Sequence, residues 1–149
     1  MTQEDKELLL KDLCARLPYG LKCQIQEGNY TYSGTLCRLE VDSKNGHLLD
    51  FVESINGLGC QVYLSEIKPY LYPLSSITEE QLKDLGTYYA KDSKNIIDDA
   101  IKSLESSLTM YRVAHVCFNT LEWYNKNHFD YRGLIEKGLA IDATGLNIY

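Results

Sequence analysis

The sequence lacks what would make it basic, membrane-spanning or stapled by disulfides. Lysine and arginine together number 15 against 21 aspartates and glutamates, for a formal net charge of -6 at pH 7. Neutralising a phosphate backbone needs a positive surface, and no Lys/Arg cluster is present. Nucleic acid is therefore not the expected partner, and the same charge disfavours an anionic membrane surface. No apolar run approaches the ~20 residues that cross a bilayer. The opening Met1-Thr-Gln-Glu-Asp-Lys-Glu7 is polar and acidic, unlike a secretory signal. The expected location is the cytoplasm. The five cysteines, Cys14, Cys23, Cys37, Cys60 and Cys117, are odd in number and irregularly spaced, which argues against a secreted disulfide framework. GxSxG and HExxH are both missing, and Gly57-Leu58-Gly59 has the character of a hairpin turn rather than a phosphate-cradling loop. No cofactor is expected.

What is present is the composition of a globular protein. With 149 residues, 44% of them hydrophobic and 24% charged, the chain suits one domain over 1–149 with a core that needs no staple. Tyrosine is in surplus: 12 residues against one Trp and three Phe. A tyrosine buries a ring while keeping a polar tip wet, which suits half-exposed positions and interfaces.

The hydrophobic period changes along the chain. Thr2 with Asp5 forms a box-like cap, Leu9, Leu10, Leu13 and Leu17 make a helical stripe, and Pro18 and Gly20 end it, so 1–18 is expected to be helical. Over 20–66 the period drops to two. Leu21, Cys23 and Ile25 alternate with Lys22, Gln24 and Gln26. Thr35, Cys37, Leu39 and Val41 are expected inward, as are Cys60, Val62 and Leu64, and His47–Glu53 forms a further strand. Turn signals stand at Gly28-Asn29, Ser33-Gly34, Asn45-Gly46 and Asn56-Gly57. This predicts an antiparallel meander of four or five strands, curled into a partial barrel and covered by the first helix. Residues 67–77, with Pro69 and Pro73, are expected to be an extended connector. The part from 78 to 149 is expected to be mainly helical. Thr78-Glu79-Glu80-Gln81 caps one helix, Ile97, Ile101, Leu104 and Leu108 stripe a second, and a box at Asn119–Glu122 marks a break before a third. The tail with Gly133, Gly138 and Gly145 should form turns and a short helix, and 111–118 fits either strand or helix. The fold class is α+β.

Three runs, Leu10-Lys-Asp-Leu-Cys-Ala-Arg-Leu-Pro-Tyr-Gly20, Ile67-Lys-Pro-Tyr-Leu-Tyr-Pro-Leu-Ser-Ser-Ile-Thr-Glu-Glu-Gln81 and Trp123-Tyr-Asn-Lys-Asn-His-Phe-Asp-Tyr-Arg-Gly-Leu-Ile-Glu-Lys-Gly-Leu-Ala-Ile-Asp-Ala-Thr-Gly-Leu-Asn-Ile-Tyr149, stand in this order. Together they resemble a family of short proteins of gut Bacteroidetes and their prophages. The resemblance covers both ends and the connector. It implies a bacterial cytoplasm and a mobile-element setting, and it implies no activity, ligand or catalytic residue.

Each candidate for chemistry has a bland competitor. Cys14, Cys23, Cys37 and Cys60 would converge if all faced the core, and four thiols can bind zinc. Without a CxxC pair, packing as small hydrophobes is the favoured reading. Cys117 and His115 share a face on a strand, but Val116 and Phe118 flank the thiol and suggest burial. Asp98-Asp99 and Glu105, like Glu79-Glu80, fit solvated helix positions. The densest cluster is His128-Phe-Asp130-Tyr-Arg132-Gly, in which Arg132 could fork to a carboxylate or phosphate. The competing view is that it finishes a helix end. Tyr70 and Tyr72, with Tyr30, Tyr32 and Tyr63, could form an exposed aromatic patch. The leading expectation is a non-enzymatic module that binds another protein, a second copy of itself included. The rivals are a small-molecule-binding protein or enzyme using His128, Asp130 and Arg132, and a nucleic-acid accessory protein.

Overall fold

The computed structural model describes residues 1–41, 48–54, 59–81, 83–84 and 118–149, with the backbone alone between 40 and 61. The chain divides into two compact units. One joins Met1–Leu74 to His128–Tyr149, and the other is Ser75–Asn127.

In the first unit, helix α1 spans Gln3–Arg16. Its start is the expected reciprocal cap. Thr2 Oγ1 accepts from the Asp5 amide at 3.1 Å, and Asp5 Oδ2 accepts from the Thr2 amide at 3.0 Å. These bonds satisfy donors a helix start leaves orphaned, and they hold the Asp5 carboxyl below its ordinary range. Pro18 opens a single 3-10 turn at Leu17–Tyr19, and Gly20, at φ 67°, ends it in the left-handed region.

Five strands follow: β1 (Lys22–Glu27), β2 (Tyr30–Val41), β3 (Leu48–Ser54), β4 (Gly59–Tyr63) and β5 (Ile67–Pro73). They run antiparallel to their neighbours in the order β4-β3-β2-β1-β5. The tail adds two parallel pairs, β6 (Phe129–Asp130) on Tyr72-Pro73 and β7 (Ile141–Asp142) on Tyr70-Leu71. The class is α+β, with a mixed sheet that does not close. Its curl follows from arithmetic. Three residues, Leu64–Glu66, join β4 to β5, a reach of at most ~14 Å from Tyr63 to Ile67. Across a flat sheet the same two strands would stand ~19 Å apart, so the sheet must bend to let so short a link reach.

Several expectations are corrected. Residues 67–73 are a strand rather than a connector: Ile67–Pro69 pair with Ile25–Cys23 of β1. Ser33-Gly34 is not a turn but lies inside β2, with Gly34 opposite Cys23. Cys37 does not face the core. A bulge sets Leu36 opposite Val52 but Arg38 opposite Phe51, so Cys37 is the extra residue. Leu36 is buried, Cys37 and Arg38 are exposed, and Leu39 packs partly on the core. The inserted residue moves the inward phase by one. On α1 the buried face is Leu9, Asp12, Leu13 and Arg16, whereas Leu10 and Leu17 are only half-buried. The tail forms turns and short strands, with no helix over 128–149.

The core lies between α1, the inner face of the sheet and the tail. Leu9 and Leu13, Leu21, Cys23 and Ile25, Leu36, Val62, Ile67 and Leu71, and Leu134 form one buried cluster. At ~1.5–3 kcal/mol per buried aliphatic side chain, it is the main stabilising term.

In the second unit, Thr78 and Gln81 form the expected reciprocal cap. A helix runs over 118–126, so the Asn119 box lies within a helix already under way. There Trp123 Nε1 donates to Asp84 at 3.1 Å. The readings for residues 93–108, for Tyr111 to Cys117, and for the Asn-Gly turns at 45–46 and 56–57 lie outside the described residues.

Candidate functional site

The residues worth weighing gather where the tail meets α1. The strand pair Tyr72–Phe129 brings the chain back against β5, and the Tyr72 amide donates to the His128 carbonyl at 2.9 Å. His128 adopts φ 58°, a conformation most side chains avoid. It delivers Phe129 into the interior, where that ring sits 6.1 Å from the Tyr72 ring.

Asp130 is buried, and both carboxylate oxygens are committed. They accept from the Leu134 amide at 2.9 Å and the Ile135 amide at 2.8 Å, which pins the turn over 131–138. This is the role of an Asx-type cap. An anion with both oxygens so engaged is poorly placed to serve as a general base.

The His128 ring is buried and lies flat against Tyr149, centroids 4.0 Å apart and planes 12° from parallel. Its Nδ1 is buried and has no hydrogen-bond partner among the described residues. Burial, reinforced by the nearby Arg16 charge, lowers its pKa from 6.5 to about 4, so at neutral pH the ring carries no charge. The Tyr149 hydroxyl donates to the Tyr70 carbonyl at 2.9 Å and accepts from the Lys22 amide at 3.1 Å. Lys22 Nζ donates to the Ile148 carbonyl at 2.6 Å. Burial of this phenol raises its pKa, although the residue as a whole remains 42% exposed.

Sequence reasoning missed the centre of this arrangement. Arg16 and Asp12 are both fully buried on α1. Arg16 Nε donates to Asp12 Oδ2 at 2.7 Å and Nη2 to Oδ1 at 3.1 Å, a fork on one carboxylate. Nη2 also donates to the Phe129 carbonyl at 2.7 Å, and the guanidinium faces the Tyr131 ring at 5.5 Å. The available signal was position. Leu9, Asp12, Leu13 and Arg16 follow the i, i+3, i+4, i+7 rhythm of a buried stripe, so a charged pair at spacing four occupied core positions.

Arg132 joins from the tail. Its Nε stands 3.2 Å from Asp12 Oδ1 but lacks the alignment of a hydrogen bond, and it is buried without an acceptor among the described residues. Its guanidinium lies over the Tyr131 ring at 4.7 Å.

The other candidates are scattered. Tyr63 points outward and is 53% exposed, as expected of a residue between buried Val62 and Leu64. Tyr70 is buried, its hydroxyl 3.0 Å from Ser33 Oγ. Tyr72 is half-buried between Phe129 and Tyr149. Tyr30, 78% exposed, begins β2, while Glu40 near the other end of β2 shares its row with Leu49 and Tyr63. That puts Tyr30 and Tyr63 on the order of 30 Å apart along the strands, so the tyrosines make no single patch. Cys23 is buried, Cys14 and Cys37 are exposed, and the Cys60 side chain lies outside the described residues. Among the described residues no group of three His, Cys, Asp or Glu could hold a metal. A shallow depression of about 270 Å³ lies beside the first turns of α1. Its lining mixes Glu4, Asp5 and Glu7 with Lys11 and Lys137, a solvated set of opposite charges.

No helix among the described residues is long and apolar enough to cross a membrane. Compared with models of known families, with curated proteins and with solved structures, the chain matches none.

Proposed function

We propose that this chain is a non-enzymatic protein-interaction module working in a bacterial cytoplasm. The observation that carries the reading is Tyr63, an aromatic side chain 53% exposed on β4, the outermost strand of the path β4-β3-β2-β1-β5. A rigid ring held outward by buried neighbours on both sides is a low-entropy anchor for a partner surface. Two exposed thiols, Cys14 and Cys37, suit a reducing compartment. The rival small-molecule reading loses ground because Asp130 and the His128 ring are engaged in holding the tail.

The test places a photo-crosslinking amino acid at position 63 in the native host and compares it with one at Lys68, an exposed site on β5. A discrete adduct from position 63 alone, with weaker capture by Tyr63→Ser of unchanged circular dichroism, is the expected result. Identical labelling from both positions would sink the reading.

A further inference from the structure

Of the three side chains in the His128, Asp130 and Arg132 cluster, two are engaged and one is not. Asp130 is saturated by two amides, and the His128 ring is covered by Tyr149. Among the described residues the anion beside Arg132 is Asp12, whose oxygens already accept the Nε and Nη2 of Arg16. Arg132 thus meets a carboxylate that attracts its charge but offers it no aligned lone pair. Its terminal nitrogens donate to none of the described residues. The side chain is 27% exposed, so the guanidinium borders solvent. It is also held in place, its guanidinium carbon over the Tyr131 ring at 4.7 Å and its Nε beside Asp12 at 3.2 Å. Fixing a planar fork in advance removes much of the entropy that a flexible lysine or arginine loses on binding.

We propose that Arg132, laid on Tyr131 and steadied by Asp12, is a receptor for an oxyanion, a carboxylate or a phosphate ester, which its terminal N–H groups grip in a fork. The buried Arg16 adds a second positive charge close by, since both guanidinium groups approach the Asp12 carboxylate and the Tyr131 ring. Tyr131 is a positioning residue here, since it acts by holding the guanidinium over its ring. This inference stands independently of the interaction surface at Tyr63.

The experiment follows the arginine Nε–H resonances of the full chain by NMR during titration with sodium acetate and, separately, inorganic phosphate, ionic strength being held with chloride. A saturable shift of the Arg132 signal in the millimolar range, with slowed rotation of its guanidinium, is expected for at least one anion. Saturation by acetate alone assigns a carboxylate ligand, and saturation by phosphate alone a phosphate ester. In Arg132→Lys the midpoint, read from the Gly133 and Leu134 amides, should rise about tenfold, because charge remains while the fork is lost. In Tyr131→Leu it should rise severalfold with amide dispersion unchanged. A response that stays linear with both anions, or a midpoint that Arg132→Gln leaves unaltered, overturns the proposal.

Discussion

At the scale of single residues, the structure sets a buried charge against a buried charge and makes their removal asymmetric. Arg16 neutralises Asp12 and also satisfies the Phe129 carbonyl. Arg16→Met should cost about 3–5 kcal/mol, because Asp12 stays behind in the core with only the misaligned Arg132 nearby. The double variant Asp12→Leu/Arg16→Met should recover at least half of that, since neither charge then needs burial. Urea unfolding of the four members of the cycle checks this. His128 makes a second prediction. Its folded pKa, about 4, lies below its ordinary 6.5, so the fold prefers the neutral ring. The stabilisation is complete above pH 6.5 and is lost as pH falls through 4, with an upper bound near ~3 kcal/mol. Asn tolerates the same backbone conformation and does not titrate. The stability difference between the parent chain and His128→Asn should therefore shrink between pH 7 and pH 4. A constant difference would show that the ring does not sense its surroundings in this way.

At the scale of elements, alternation reveals a strand's inward face only while its register is unbroken. Into and along β1 the pattern held: Leu21, just before the strand, and Cys23 and Ile25 within it are buried. In β2 one extra residue at the bulge reversed it, and no feature of Thr35-Leu-Cys-Arg-Leu39 announces the insertion, because its compensation comes from the partner strand. β5 was legible as extended backbone but not as a sheet member, since its pairing with β1 is a long-range choice that Pro69 and Pro73 conceal. The caps at Thr2 and Thr78 were readable because their chemistry is local. The cluster at 128–132 was likewise visible as a cluster. Its division of labour depends on Asp12 and Arg16, more than a hundred residues away in the chain, and was not visible. The bulge yields a direct test. Leu36→Ala should cost about 2–4 kcal/mol, while the neighbouring Cys37→Ala should fall within ~0.5 kcal/mol of neutral. A maleimide applied to the native protein should modify Cys37 and Cys14 quickly and Cys23 only after unfolding, as mapped by mass spectrometry. Rapid labelling of Cys23 would contradict the assigned register.

At the scale of the whole molecule, the first unit is assembled from both ends of the chain. Phe129, Leu134 and Ala143 are buried in it, and the Ala143 amide donates to the Leu71 carbonyl. A truncation ending at residue 127 should therefore fail to fold, losing the core residues of the tail together with the Phe129 carbonyl that accepts from Arg16. Excising 75–127 should be far milder. Tyr72 and Phe129 are paired neighbours, ~4.8 Å apart across the ladder, so a linker of about five flexible residues reaches easily. Circular dichroism and thermal melting of the spliced chain should show a cooperative β-rich unit. A molten product without a thermal transition would mean that the first unit depends on the segment removed.

The bond from the Tyr72 amide to the His128 carbonyl thus marks a doorway where the polypeptide departs and returns side by side. Once such a doorway exists, its tenant is nearly free to grow: each doubling of the excursion costs only about 0.6 kcal/mol in closure entropy. Natural variants of this chain should differ in length mostly between residues 74 and 128, while the spacing from 128 to 134 stays fixed, because one added residue there would pull the Asp130 carboxylate away from both of its amides.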